Sequence, residues 1–186
     1  MMGDPRRFRK KYENPFKPWD RELLYEDLKL IGEYGLKNKR ELRRVATILR
    51  KIRDVARRSF GLPEDERRKV VAELLNKLYK MGVLDKDATI DDVLKLEVKD
   101  LLERRLQTLV YRKGLAKSIY HARQMVVHRH IMVGDRIVDR PSAFISREDE
   151  DKIRINPNSP YADPNHPIWR EVTEYVEGGE STEEEG

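Results

Sequence analysis

The sequence predicts an α+β fold: a helical N-terminal domain, then a small domain of two packed helices on a short antiparallel sheet, with extended segments at both ends. Three observations lead to this prediction. Apolar residues recur at three- and four-residue spacing from residue 20 to residue 81. Near residue 131 the spacing changes to alternation, and proline and charged residues dominate both ends of the chain. We expect four parts, namely residues 1–18, 19–102, 103–155 and 156–186.

Residues 1–18 predict an extended basic arm. Three aromatic rings and three prolines are interleaved with Lys and Arg, so the segment cannot form a core of its own. Basic side chains would neutralise phosphates while the rings stack on bases, and the segment would become ordered on binding. A flexible terminus is the alternative, but such a terminus rarely combines this many aromatic and basic residues. The candidate nucleic-acid-binding residues of the arm are Arg6, Arg7, Arg9, Lys10 and Lys11.

Residues 19–102 predict three helices followed by a connector. Asp20 is the expected N-cap of the first helix, and Asn38 with Glu41 three positions later forms a capping-box pattern for the second. Gly61 and Pro63 end the second helix and open the third, which begins with acidic residues at its positive end. These features are structural, and we assign them no function.

Short amphipathic pieces are expected between residues 83 and 102. Gly82 should cap the end of the third helix, and Asp91 or Asp92 should cap a turn around Val93. The paired carboxylates could also suggest acid–base chemistry. We reject that interpretation, because capping and the helix dipole already explain acidic residues at a helix start.

The second predicted helix carries an unusual excess of positive charge. Residues 37–58 hold ten basic residues against two acidic ones, a net charge of +8. A solvated helix face is the alternative, but it would normally include interleaved Glu. Such a density favours a polyanionic partner, and arginine suits phosphate because its forked donors bind two oxygens at once. The candidate residues lie opposite the apolar stripe of the helix: Arg40, Arg43, Arg50, Arg53 and Arg57.

The composition excludes several classes of protein. The 186-residue chain has no cysteine, which rules out a disulfide framework, a thiol nucleophile and any cysteine-ligated metal. No window approaches the roughly 18 apolar residues of a membrane span, and the N-terminus is charged where a signal peptide would be apolar. We therefore expect a soluble, cytoplasmic protein without a membrane partner.

Residues 103–155 carry the most specific pattern. On the first helix of this segment, apolar residues around Leu106 face inward and leave Arg105, Thr108 and Arg112 outward. On the next helix, Ala122 and its apolar neighbours pack inward. The opposite face presents polar residues at spacings of four, three and four: Lys117, His121, Gln124 and His128.

A small sheet should follow these two helices. Ile131 and Val133 alternate with Met132, Gly134 and Asp135 supply a turn, and a second turn at Pro141 follows. The two helices should stack on this sheet. Their outward faces would then merge into one basic, hydrogen-bonding surface of the kind that recognises backbone shape and 2′-hydroxyl groups.

The order RRLQTLVYRKGLAKS, then HARQMVVHRHIMV, a glycine turn and RPS resembles an RNA-binding domain named after the fourth small-subunit ribosomal protein, here called the S-four domain. The helical N-terminal region and the proline-rich extension resemble the archaeal and eukaryotic branch of that ribosomal protein family. The resemblance implies a primary binder of small-subunit ribosomal RNA that nucleates assembly of the subunit body and contributes to translational accuracy. It also implies that the protein has no catalytic activity.

The resemblance also implies which residues face RNA. His121 joins them from the helix face described above. Arg129 stands where the family usually has glycine, so the backbone is less permissive there while the position gains a positive charge. The matching positions are Arg104, Arg105, Arg112, Lys113, Lys117, Ser118, Arg123, Gln124, His128 and His130.

The partners implied by the resemblance are small-subunit ribosomal RNA and other proteins of the small subunit, above all its fifth protein. Messenger RNA near the path by which it enters the subunit is a further possible partner. No small-molecule substrate, cofactor or metal is expected. Bacterial relatives can carry a zinc-binding cysteine cluster, which a chain without cysteine cannot form.

Two other interpretations of the histidines are rejected. His121 and His128 would lie about 10 Å apart along a helix, too far for two ligands of one zinc ion with Zn–N distances of about 2.1 Å. Ser118 and His121 form a hydroxyl–imidazole pair within one helical turn. The pair lacks an orienting acid and an oxyanion site, so we expect no enzyme activity.

Residues 156–186 predict a proline-rich strap and an acidic tail. The prolines favour an extended, polyproline-like segment, which Trp169 should anchor on protein or RNA. Residues 171–186 contain seven Glu and no Lys or Arg, which leaves a net charge of +12 on the rest of the chain. The tail should be mobile or face a basic protein, because RNA would repel it.

Two alternative functions stay open at this stage. Domains like the S-four domain also occur in enzymes, such as pseudouridine synthases and tyrosyl-tRNA synthetases, where they guide RNA to a catalytic domain. A free-standing stress protein that binds stalled ribosomal particles is the other alternative. The residues outside 103–155 are helical and basic and show no nucleotide-binding fingerprint, which favours the ribosomal interpretation.

Overall fold

The structure is a computed structural model that describes residues 11–163, 166, 167 and 169. It confirms the α+β class, with helices throughout and a small sheet in the second half of the chain. Of the predicted arm, Arg6, Arg7, Arg9 and Lys10 lie outside the described residues, as do the tail residues 170–186. Within residues 11–103, the described part of the first half forms five helices: α1 (Arg21–Glu33), α2 (Lys39–Ser59), α3 (Glu64–Lys80), α4 (Ile90–Lys95) and α5 (Val98–Glu103).

Helix α2 is the centre of the first hydrophobic cluster. Its buried residues Leu42, Val45, Leu49 and Ala56 confirm the predicted apolar stripe. Helices α1, α3, α4 and α5 all pack against α2. One long amphipathic helix therefore organises this half of the protein and keeps its opposite side in solvent.

The starts of α1 and α2 follow the predicted capping chemistry, with one difference at α2. Asp20 accepts a hydrogen bond from the Glu22 backbone N–H at 3.2 Å, as expected for an N-cap. Asn38 caps α2 from the Arg40 N–H at 3.0 Å. The predicted capping box at Asn38 is only half formed, because the Glu41 carboxylate turns away from the helix start toward two arginines of the second half.

The connector is capped by a residue that the sequence analysis did not single out. Thr89 is the N-cap of α4, and Asp92 closes a capping box by accepting from the Thr89 N–H at 2.9 Å. Hydrogen bonds from the backbone and hydroxyl of Thr89 lower the pKa of Asp92 to about 2. Asp92 therefore contributes to the cap from the third position of the helix. The N-cap residue itself is Thr89, and neither Asp91 nor Asp92 occupies that position.

The second half of the chain contains the two helices and the small sheet that were predicted. The sheet has the order β2-β1-β3, and both strand pairs are antiparallel. The turn at Gly134, which has φ +60°, joins β1 to β2 as predicted. The elements are α6 (Leu106–Arg112), α7 (Ile119–Val127), β1 (Ile131–Val133), β2 (Arg136–Ile137), α8 (Arg147–Glu150) and β3 (Ile153–Ile155).

Strand β3 was not part of the predicted sheet. It pairs with β1 in the register Met132 to Arg154, and its Ile153 is buried in the second hydrophobic cluster. Three residues between the polar neighbours Lys152 and Asn156 give too short an alternation to identify a strand from sequence. Beyond β3 the chain forms a 3₁₀ turn, Pro160–Ala162, instead of remaining fully extended.

None of the helices in the described part of the chain is both long and apolar enough to cross a membrane.

Candidate nucleic-acid interface

The arginines predicted on α2 divide into two groups. Arg50 and Arg57 are well exposed, with 61% and 60% of their side-chain surface accessible, and Arg40 is exposed as well. Arg43 is largely buried against Asp27 of α1, and Arg53 donates a hydrogen bond to the Leu96 carbonyl. The prediction that all five arginines lie on the exposed side of the helix was therefore wrong for Arg43 and Arg53, because α1 and the α4–α5 turn cover them.

Three exposed basic residues of α2 were missed by the sequence analysis. Arg44, Lys51 and Arg58 follow one another at intervals of seven residues, and all three face solvent. Together with Arg40 they span about 27 Å along one side of the helix at a rise of about 1.5 Å per residue. We call Arg40, Arg44, Lys51 and Arg58 the α2 stripe. Their spacing could have identified it, because residues seven apart share a helix face.

The described part of the arm contacts α2. The Glu13 N–H donates to the Thr47 hydroxyl at 3.1 Å, and the Glu13 carboxylate forms an ion pair with Arg50. Phe16 and Trp19 are 95% and 76% exposed, so neither ring is used for internal packing. The arm therefore reaches the basic side of α2 and leaves aromatic rings free to stack there.

The second half of the chain presents a smaller basic surface than predicted. Arg105 is 1% exposed and Thr108 is 2% exposed, so the prediction that they face outward was wrong. Arg104 and Arg123 are also largely covered, with 12% and 19% of their side chains exposed. Arg105 and Arg123 turn inward to the Glu41 carboxylate of α2, and Arg104 pairs with Glu150. Thr108 is covered because α6 packs between α5 and α7.

The residues around the start of α7 do reach the surface. Ser118 caps the helix by accepting from the His121 N–H at 3.1 Å, which places it at the helix N-terminus with Lys117 beside it. Gln124 and His128 are exposed and joined by a 3.2 Å hydrogen bond along the same face. Lys117 and Ser118 lie at the positive, N-terminal end of the α7 dipole, which suits phosphate groups. Gln124 and His128 add donors and acceptors toward the other end of the helix, where they can bind sugar and backbone groups.

Two further basic residues flank this face. Arg112 is 61% exposed and forms an ion pair with Glu103 at 3.0 Å. Lys113 lies 3.7 Å from the Asp151 carboxylate. Exposed pairs of this kind contribute little to stability, so either cation can exchange its carboxylate for a phosphate at low cost. We call the face formed by Arg112, Lys117, Ser118, Gln124, His128 and Arg129 the α7 surface.

Arg129 adopts a backbone conformation that favours glycine, the residue usual at this position in the family that the sequence resembles. Its φ is +64°, and it is the only non-glycine residue of the described chain with a positive φ. The His130 N–H donates to the Met125 carbonyl at 2.9 Å, and the Arg129 N–H donates to the Val126 carbonyl at 3.1 Å. This is a Schellman motif, which normally places glycine at this position. The side chain of Arg129 is thereby held outward, 70% exposed.

The histidines lie close to the C-terminal segment. Tyr161 contacts His121 and His130 edge-on, at ring distances of 6.0 and 4.8 Å, and His166 at 5.0 Å. Burial, followed by the neighbouring His128, lowers the pKa of His130, and its ring nitrogen lies 2.8 Å from the Ser159 hydroxyl. His121 and His130 are therefore partly covered by the segment and are less accessible to RNA than predicted.

The C-terminal segment closes on itself at Trp169. Its indole N–H donates to the Asp163 carbonyl at 3.0 Å. This contact lies within the segment, and the anchoring of Trp169 on protein or RNA stays a prediction. In the described part of the chain, no group of His, Asp or Glu residues has the arrangement of a metal site.

Comparisons with known proteins give consistent matches over both halves of the chain. A family model described as the S4 domain matches residues 104–151, and one described as the ribosomal protein S4/S9 N-terminal domain matches residues 5–103. Small ribosomal subunit protein uS4 of Ignicoccus hospitalis is 54% identical over 160 residues, which is 86% of this chain and 96% of the relative.

Two further relatives carry the same name. The protein of Sulfurisphaera tokodaii is 48% identical over 177 residues, which is 95% of this chain and 99% of the relative. The protein of Korarchaeum cryptofilum is 52% identical over 152 residues, which is 82% of this chain and 91% of the relative. All three sources are archaeal, in agreement with the branch that the sequence pattern indicated.

Proposed function

Because the chain belongs to the uS4 family of small-ribosomal-subunit proteins, we propose that it is a structural constituent of the small subunit that binds ribosomal RNA directly. The observation that carries the RNA-binding part is the pair of exposed basic surfaces, one in each half of the chain. The α2 stripe lies on the helical half, and the α7 surface lies on the half with the sheet. Both present cations and hydrogen-bond donors outside the hydrophobic clusters.

The mechanism is electrostatic and geometric. Each Lys or Arg that neutralises a phosphate releases condensed counterions, which supplies affinity without reading sequence. Selectivity then comes from the distance and angle between the two surfaces, since RNA duplexes are recognised largely by shape and 2′-hydroxyl contacts. The exposed aromatic rings Phe16 and Trp19 add positions where unpaired bases can stack.

The structure changes which predicted residues we assign to RNA. Arg43, Arg53, Arg104, Arg105 and Arg123 are engaged in internal contacts and are left out of the proposed interface. His121 and His130 are left out as well, because the C-terminal segment partly covers them. The retained residues are Lys11, Arg40, Arg50, Arg57, Arg112, Lys113, Lys117, Ser118, Gln124, His128 and Arg129, and to these we add Arg44, Lys51 and Arg58.

The finer roles follow from family membership. We propose that the protein acts early in assembly of the subunit body, contacts the fifth small-subunit protein, and influences accuracy near the path of messenger RNA. Its role would be structural, without catalysis, and its location the cytoplasm. The match of residues 5–103 to a ribosomal N-terminal domain supports this assignment over a free-standing stress protein or a guide domain of an RNA-modifying enzyme.

The decisive experiment is filter binding of the purified protein to the five-prime domain of small-subunit ribosomal RNA, with generic double-stranded RNA as competitor across a salt series. Selective binding that persists at physiological salt is expected. Equal and salt-sensitive binding to both RNAs would reduce the protein to a general basic RNA binder and contradict the proposal. Sucrose gradients at high salt provide the second test, because a structural constituent must remain with the small subunit.

A further inference from the structure

The two hydrophobic clusters of the protein meet through buried polar side chains. The buried residues of the first cluster end at Leu102, with Phe144 from the second half packed against them, and those of the second cluster begin at Leu106. Between them lie Glu41 from α2, Arg105 and Gln107 at the start of α6, and Arg123 from α7. We call these four residues the polar joint.

Glu41 is the central acceptor of the polar joint. One carboxylate oxygen accepts from Arg105 at 2.7 Å and from Arg123 at 3.2 Å, and the other accepts from Arg123 at 2.7 Å. Burial by itself would raise the pKa of Glu41, but the hydrogen bonds and charges of Arg123 and Arg105 outweigh it and hold the pKa below its ordinary value. The carboxylate therefore stays charged and binds Arg123 through two parallel hydrogen bonds.

Gln107 extends the polar joint to the backbone. Its side chain is fully buried, and its amide nitrogen donates to the Gly35 and Ile119 carbonyls, each at 3.0 Å. Its carbonyl oxygen accepts from Arg123 at 3.2 Å. One side chain thus joins the turn after α1 to the start of α7, so three segments distant in sequence share a single hydrogen-bond network.

The hydrogen-bond network of the polar joint should contribute more to the relative orientation of the two halves than to the free energy of unfolding. Replacing a buried ion-pair cluster with apolar residues is often neutral or stabilising, because taking charges out of water is costly. Arg105 even leaves its Nε and one Nη buried without a hydrogen-bond partner. A network of directional hydrogen bonds is satisfied in few arrangements, so this network adds a constraint on orientation to that of the apolar packing around it.

We propose that the polar joint is a positioning device that holds the α2 stripe and the α7 surface at one fixed angle. This inference rests on the proposed function, since the fixed angle matters for a partner that both surfaces contact at once. Because the angle is held, an RNA bound at one surface meets the other surface at a high effective concentration. The four residues act through the two surfaces and do not themselves touch RNA.

The first test measures orientation without RNA. Because the chain contains no cysteine, Lys69→Cys on α3 and Asp135→Cys in the β1–β2 turn give one pair of spin labels, both at exposed positions. Electron–electron double resonance should show one narrow distance distribution in the otherwise unchanged protein. Glu41→Gln should broaden it, while Glu73→Gln, which removes the same charge from an exposed position of α3, should leave it unchanged.

A second variant separates orientation from stability. Glu41→Gln could unfold the protein by leaving two arginines without their carboxylate. The triple variant Glu41→Leu, Arg105→Met, Arg123→Leu removes all three charges together, and we expect it to fold at least as stably as the original. The positioning role predicts that its distance distribution is nevertheless broad. A distribution as narrow as that of the original protein would overturn the inference.

The third measurement connects orientation to binding. The folded triple variant should lose about tenfold or more in affinity for the five-prime domain RNA, while its affinity for generic duplex RNA stays within about twofold. An unchanged ratio of the two affinities would also overturn the inference. If the original protein itself shows no preference for the five-prime domain, the proposed function fails, and the spin-label distances still decide whether the joint fixes the angle.

Discussion

At the scale of single residues, Gly35 occupies a backbone position at the contact between the two halves that only glycine fits. Gly35 has φ +54° and lies where the turn after α1 meets Gln107. A Cβ atom there would lie 2.8 Å from the Gln107 amide nitrogen and 2.9 Å from the Ile119 side chain. Both the backbone angle and the space therefore require glycine.

Gly35→Ala should lower the free energy of unfolding by about 2 to 4 kcal/mol, the sum of left-handed backbone strain and overpacking. Gly32→Ala is the matched control, because Gly32 lies in α1 with nothing within 4 Å of its Cβ position. The control should raise stability by about 0.5 to 1 kcal/mol through helix propensity. Urea denaturation of both variants measures the difference, and equal effects would contradict the steric argument.

At Arg129, in contrast to Gly35, a charged residue occupies a backbone conformation that favours glycine. Arg129→Gly should relieve left-handed strain and raise the free energy of unfolding by up to about 1 kcal/mol. The same change should weaken RNA binding by removing an exposed cation of the α7 surface. Arg140→Gly, at an exposed position without a positive φ, should instead reduce stability. Chemical denaturation and filter binding read the two effects separately.

At the scale of secondary-structure elements, α2 serves both the core and the surface. Its apolar stripe is the centre of the first cluster, while the α2 stripe faces solvent along the opposite side. Charges on that side can therefore be changed without altering the packing. This separation makes α2 the element on which the electrostatic proposal is most directly tested.

Charge reversal of Arg44, Lys51 and Arg58 to Glu should weaken binding to ribosomal RNA and reduce the salt-dependence slope by about two to three, one step for each lost phosphate contact. The helical signal in circular dichroism should not change. The control reverses three exposed lysines of α3, Lys69, Lys77 and Lys80, for the same change in net charge. If both variants lose the same affinity, net charge alone governs binding and the α2 stripe is not an RNA contact.

At the scale of the whole molecule, the distribution of charge separates a basic body from an acidic tail. The full chain has a net charge of +5, and the chain without residues 171–186 would carry +12. Long-range attraction to RNA grows with the charge of the body. The tail therefore opposes RNA binding or leaves it unaffected.

Deletion of residues 171–186 should leave affinity for ribosomal RNA the same or slightly higher. The difference should be largest at low salt, where screening is weakest. Filter binding of the full and shortened chains across a salt series measures it, and replacing the seven Glu by Gln at full length controls for chain length. A marked loss of affinity on deletion would show that the tail makes a favourable contact.

Local patterns predicted much of this structure, because they depend on neighbours in sequence. The cap at Asp20, the apolar stripe of α2 and the turn at Gly134 all follow from residues within a few positions of one another. The S-four domain could also be identified from the sequence, because the motifs that define it lie close together in one continuous segment.

The sequence by itself determined the fold class, the longer helices, the family and the excess of positive charge. Only the tertiary structure decided which of those charges reach solvent. Arg44 and Arg43 are adjacent arginines on one helix, yet Arg44 is exposed and Arg43 is covered by α1 and paired with Asp27. Arg105 is buried against Glu41, 64 positions away in sequence. Burial depends on which distant segments pack against a residue, and helical periodicity cannot specify that.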